Sequence, residues 1–176
     1  PNDWTEDYKE ATNQTIKQKN YEANWVLVGT TVFDEQDIYA LFHELEEGKK
    51  LIIASNNFSV KLLKNTFDIS SDKASNNKKQ LAVYLNNKEY LLDYIPNYKH
   101  IKANNFGKSL LKTKKGHSLI ERFTVGTGEL IICTEAVLFT NYNLLTRNNR
   151  KIMEHCFSSF DDKDIVWFSN YKSSDY

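Results

Sequence analysis

Two short apolar runs, Trp25 to Val28 and Leu51 to Ala54, bracket an amphipathic segment, and this arrangement restricts the fold more than any other feature of the chain. Neither run alternates apolar with polar residues, so each reads as a strand buried on both faces. Between them Asp34 offers an N-cap with Asp37 three residues on, while Ile38, Leu41, Phe42 and Leu45 recur at helical spacing. Gly48 then supplies a left-handed stop. Strand, helix and strand in so short a space predict a βαβ unit, with its strands parallel and its crossover right-handed.

The flanking segments extend this unit. Residues 1–20 are a polar lead-in, and 21–176 are expected to form a single α/β domain. Ser59 can cap a second helix through Val60, Leu63 and Phe67, and residues 70–79 read as a polar loop. Residues 80–95 predict two strands around an Asn86-Asn87 turn, decorating the parallel sheet rather than extending it. Residues 96–116 read as a basic, irregular loop, and the Gly126-Thr127-Gly128 turn centres a hairpin whose second arm, Leu130 to Cys133, is apolar enough to be central. Thr146 caps a last helix with a stripe of Ile152, Met153, Cys156, Phe157 and Phe160. Residues 164–171 close the chain as a strand, or as an extended segment anchored by Trp167.

Charge and composition exclude several functions. Lys and Arg together number 23, as do Asp and Glu, so no global field draws the protein to nucleic acid. Lys99, Lys102, Lys108, Lys112, Lys114 and Lys115 lie among Tyr98 and Phe106, which leaves a polyanion contact as the alternative to a solvated loop. Cys133 and Cys156 are too few for a disulfide scaffold and lack zinc-site spacing; buried thiols are favoured over a single disulfide. No apolar run reaches 18 residues and no leader pattern is present. Opening on Pro1 rather than Met, the chain reads as a piece of a longer parent.

Chemistry-bearing patterns are sparse. A nucleophile elbow needs glycines around its Ser or Cys, and Ser55 is flanked by Ala54, Asn56 and Asn57 instead. Cys133 has Glu135 close by but needs a base, and His43, His100, His117 and His155 form no spaced pair, so no metal or cofactor is expected. Gly126-x-Gly128 joins two strands rather than opening a helix, and Gly29, Thr30 and Thr31 are followed by Asp34 and Glu35, which would repel a phosphate.

From Gly126 to Lys172 the chain carries a G-x-G turn, a strand, then Thr134 followed by Phe139-Thr140-Asn141-Tyr142, a helix, and a tail with Trp167, Tyr171 and Lys172. This string resembles a bacterial family of unknown function whose domain looks like a degenerate class I glutamine amidotransferase. The strand-helix-strand unit matches the same family. The resemblance implies a flavodoxin-like, mostly parallel sheet with flanking helices and an added β-hairpin. It also implies a membrane-anchored module facing the periplasm, with transmembrane helices outside this segment and partners in a membrane-protein complex linked to a MoxR-type ATPase system. It implies no catalysis, since the amidotransferase Cys elbow is missing and Cys133-Thr134-Glu135 stands where active members carry His-x-Glu.

Loops at the carboxyl edge of a parallel sheet usually carry function, which makes Ser55, Asn56, Asn57, Thr134, Glu135, Asn141 and Tyr142 the contact candidates for a partner protein or small ligand. The rival is a hydrolase or amidotransferase-like enzyme using Cys133 or Ser55, and a third reading is a structural spacer.

Overall fold

The computed structural model describes residues 23–29, 35–56, 70–75, 80–93, 95, 97–102, 107–145, 147–161 and 163–170. The polar lead-in, the Ser59-capped helix, Thr146 and Asn57 lie outside them. The expected βαβ unit is present as β1 (Asn24–Gly29), α1 (Glu35–Glu46) and β2 (Lys50–Ala54), with β1 and β2 parallel and Val26 aligned to Ile52. All six residues of β1 are buried, as their lack of alternation required.

Two further strands join this parallel group. β9 (Gly128–Cys133) lies beside β2, and β10 (Ile165–Asn170) lies on the far side of β1, giving the local order β10-β1-β2-β9. Among the described residues β10 therefore ends one side of the sheet, paired to β1 alone.

The remaining strands correct the flavodoxin-like, amidotransferase-like expectation of a mostly parallel sheet. β3 (Ser70–Ser75), β4 (Gln80–Leu85), β5 (Lys88–Asp93), β6 (Asn97–Lys102), β7 (Lys108–Thr113) and β8 (Ser118–Val125) all enter through antiparallel pairs, so the 10-stranded sheet is mixed. For β4–β5, β7–β8 and β8–β9 the cause is the connection: turns of a few residues can close only antiparallel neighbours. Asn86 (φ 49) and Asn87 (φ 64) both adopt the left-handed conformation that a tight hairpin demands. The β4–β5 hairpin extends the sheet by way of β7 and β8 rather than decorating it. Residues 70–75 and 97–102, expected as loops, are the antiparallel pair β3–β6. Polar strands of this kind escape a search for buried runs because only part of their surface is covered.

Successive residues of the central strands feed opposite faces. Val26, Ile52, Ile131 and Cys133 pack with Ile152, Met153 and Cys156 of a C-terminal helix, α3 (Arg147–Phe157). Trp25, Leu27, Leu51, Ile53, Leu130 and Ile132 pack on the other face with Leu41 and Leu45 of α1. The stripe assigned to the last helix is thus its buried side, although Phe160 lies beyond the helix and packs edge-on against Phe157 at 5.2 Å between ring centroids. Between β9 and α3 the chain makes a 3₁₀ turn (Ala136–Phe139) and a short helix, α2 (Asn141–Leu144). Phe139 lies tilted and Phe157 stacked against Trp167 of β10, each with ring centroids 6.3 Å apart.

The hairpin turn between β8 and β9 sits under the end of α1. Thr127 N–H and Oγ1–H both donate to Glu46 O, the latter at 3.0 Å. A Cβ on Gly128 would lie 2.1 Å from Leu45 O and 2.4 Å from Lys49 O, so only glycine fits there. The glycines of this turn serve a close backbone approach. Among the described residues no helix is long and apolar enough to cross a membrane.

Candidate functional site

At the opposite end of the parallel strands, β2 and β9 finish side by side, with Ala54 aligned to Cys133. The pairing continues for one more step, since Ser55 N–H donates to Cys133 O at 3.0 Å. The two strands then separate, and the chain leaving each one contributes to a cleft of about 480 Å³. Asn56 and Glu135 come from these two strand ends, while Lys73 and Ser75 of β3 and Tyr98 and Lys99 of β6 form its other wall.

The cleft is built around Glu135. Its carboxyl is buried and its Oε1 accepts the Lys99 backbone N–H at 2.9 Å. Burial raises the Glu135 pKa to about 7, outweighing the Lys99 N–H bond and the Lys99 charge, which act the other way. Neighbouring contacts hold the group in place. Thr134 Oγ1–H donates to Lys99 O at 2.7 Å, and Asn56 Oδ1 accepts the Ala136 N–H at 2.7 Å. Lys99 Nζ donates to Asn56 O, tying β6 to the β2 end. A carboxyl that titrates near neutrality in a water-accessible cleft can present either a hydrogen-bond donor or a negative charge.

The seven residues singled out from the sequence separate into groups. Asn56 and Glu135 line the cleft. Ser55 and Thr134 are buried beside them and fasten the strand ends. Asn141 lies exposed on α2, and Tyr142 occupies the same helix, whereas Asn57 is outside the described residues. Lys73 and Ser75 were missed, and Tyr98 and Lys99 were named only for a polyanion contact of an irregular loop, because both segments read as loops rather than as a strand pair.

The cysteines are the buried thiols favoured from the sequence, whereas the reading of the histidines changes. Cys133 is fully buried, its Sγ–H donates to Glu135 O at 3.4 Å, and burial pushes its pKa well above the ordinary thiol value. Cys156 is likewise buried and pushed up to about 12, and both are free. Neither thiol is placed to act as a nucleophile. The histidines, which show no pairing in sequence, are brought together by the β6–β8 contact: His100 and His117 stack with ring centroids 4.0 Å apart. Tyr98 OH bonds His117 Nδ1 at 3.1 Å, so this Tyr is anchored away from the cleft by its hydroxyl. Among the described residues no group of three His, Cys, Asp or Glu side chains is placed to hold a metal ion.

No family model matches the chain, and no curated protein matches it. Solved structures do share its fold in part. A cold-adapted β-galactosidase from Rahnella sp. R3 aligns with a TM-score of 0.53 at 9% identity, over 79% of this chain and 24% of that one. An exo-β-1,4-mannosidase from Opitutaceae bacterium strain TAV5 gives 0.52 at 14% identity, over 81% and 26%. The α-L-fucosidase isoenzyme 2 from Paenibacillus thiaminolyticus gives 0.50 at 10% identity, over 80% and 27%. The chain spans about a quarter of the length of each of these enzymes. The likeness is one of fold, to one segment of larger proteins whose titles are those of glycosidases, and it lends no support to the amidotransferase-like kinship.

Proposed function

We propose that this chain is a non-catalytic binding module that takes a small polar ligand in the cleft where β2 and β9 end. The observation that carries the reading is Glu135, a buried carboxyl held by the Lys99 backbone at the floor of a 480 Å³ cleft. A buried carboxyl costs folding free energy and is retained where it has a partner to serve.

Two features favour binding over catalysis. The Cys133 thiol is sealed in the core and held protonated, so acyl transfer lacks its nucleophile. Glycoside hydrolysis, which the names of the similar structures bring to mind, needs two carboxyl groups about 5–10 Å apart. Among the described residues the cleft wall offers one, Glu135.

The test is a ligand-observed NMR screen of small polar metabolites against the wild type and Glu135→Gln. The variant keeps an acceptor for the Lys99 N–H and loses the proton. The expected result is at least one saturable ligand whose binding weakens in the variant, with no product signals. Conversion of any compound to product would establish the enzyme alternative instead, and hits indifferent to Glu135 would move the site elsewhere.

A further inference from the structure

The β3–β6 pair carries one wall of the cleft, and its strand pairing to the rest of the sheet is narrow. Among the described residues β6 meets β8 through one aligned pair, Ile101 with Ser118. The residue before each of these is a histidine, so His100 and His117 lie at the joint itself. Their rings are nearly parallel, inclined by 8° with centroids 4.0 Å apart. His100 is only 7% exposed and its Nδ1 has no hydrogen-bond partner, while His117 is half-buried.

Neutral imidazoles pack in this way as flat rings. One proton on the pair is tolerated, because Tyr98 OH can donate to His117 Nδ1 or accept from it. A second proton sets like charges face to face at a partly buried joint, where water screens them less than at the surface. The surrounding charges do not offset it. Asp72 of β3 is aligned with His100, but its carboxylate is ion-paired to Lys102 of β6. On β7, Lys112 is aligned with Ser118 and adds another positive group.

Burial, then the His117 charge and that of Lys102, hold the His100 pKa below its usual range against the opposing pull of the Asp72 carboxylate and main chain. The joined form therefore binds fewer protons than a separated one, whose histidines titrate in water. Joining is favoured at neutral pH and loses ground as pH falls below the ordinary histidine range. Glu135, at the same wall, takes up its proton nearer neutrality and is a separate event.

We propose that the stacked His100–His117 pair is an acid-operated latch: at neutral pH it holds β6 against β8, and double protonation parts the rings and swings the β3–β6 wall away from the ends of β2 and β9. Acid would then release a ligand held in the cleft. That consequence rests on the binding reading above, whereas the latch does not.

The experiment follows amide hydrogen exchange of the full chain by NMR from pH 7.5 to pH 5, expressed as protection factors so that the intrinsic pH dependence cancels, with imidazole ring spectra from the same samples. The reporters are Lys99, whose N–H bonds Glu135, and Ile101, which pairs with Ser118. Val26 and Ile52 of the central strands are the reference. The expected result is an about tenfold loss of protection at residues 99 and 101, none at 26 and 52, and a midpoint that coincides with titration of the stacked rings. His100→Phe keeps a flat ring in the stack and the Tyr98–His117 bond but cannot be charged, so its protection should stay level with pH. Glu135→Gln should keep the acid response. No loss in the wild type, an equal loss in His100→Phe, or a response abolished by Glu135→Gln overturns the latch. Should His100→Phe fail to fold, the wild type decides alone, since opening whose midpoint departs from the ring titration overturns it equally. Failure of the latch leaves the binding reading to the ligand screen, and a screen without ligands leaves a working latch standing.

Discussion

Replacing Glu135 by Gln should abolish the pH dependence that this one carboxyl imposes on folding. In the native cleft its pKa is raised from 4.5 to about 7, with burial as the main cause. The native protein therefore holds the proton across a window in which the unfolded chain has released it, and stability falls as pH rises from about 4.5 to about 7, then levels off. At about 1.4 kcal/mol per pH unit, that gap sets a ceiling of about 3 kcal/mol for the loss. Gln cannot titrate, yet its side-chain oxygen can still accept the Lys99 N–H now bound at 2.9 Å. Urea unfolding of both proteins at pH 5, 6, 7 and 8 reads the difference directly. Other shifted groups, Glu121 raised by burial and His100 lowered by it, are common to the two proteins and cancel. Part of the loss has already occurred at pH 5, so with a urea slope of about 2 kcal/mol per M the variant's midpoint should gain up to about 1.2 M on the wild type between pH 5 and pH 8. A gap between the two midpoints that does not change with pH would refute the reasoning, because it would mean that Glu135 ionises as a solvated carboxyl does.

Other outcomes follow from the packing. Gly128→Ala should cost about 3 kcal/mol or more in urea unfolding, since the new methyl meets the Leu45 and Lys49 carbonyls. Gly116→Ala, at φ +81 with open space around it, should cost about 1 kcal/mol from its left-handed backbone alone, and the opposite ranking would place the β8–β9 turn wrongly. A chromogenic disulfide reagent at pH 8 should leave both Cys133 and Cys156 unmodified in the native protein and label both in guanidinium; rapid native labelling of Cys133 would restore the thiol-enzyme reading.

The sequence was most informative where burial was complete. Val26 and Ile52 belong to unbroken apolar runs because both faces of their strands are covered by helices, and α1 and α3 were legible from their stripes for the same reason. It was least informative along β3 and β6, whose Ser, Asp, Lys and Asn residues have strand geometry imposed by neighbours rather than by their own propensity. That failure hid half of the cleft. Glu135 and Asn56 could be placed because they follow recognisable strands, whereas Lys73 and Lys99 could not, and the mostly parallel architecture was overcalled because the two hairpins read from the sequence were taken as additions to a parallel sheet and β3, β6 and β7 were read as loop.

The position of β10 has a consequence for how the protein is made. β1 sits between β2 and β10, with Asn24 aligned to Ile165. On the ribosome, β1 and β2 emerge before β10, and one flank of β1 keeps its backbone amides and carbonyls unmatched until residues 165–170 have been synthesised. Until then the apolar centre carries an open, adhesive border that a neighbouring nascent chain could capture. Closure is left to β10, so truncation before Ile165 should yield aggregate rather than a smaller soluble protein.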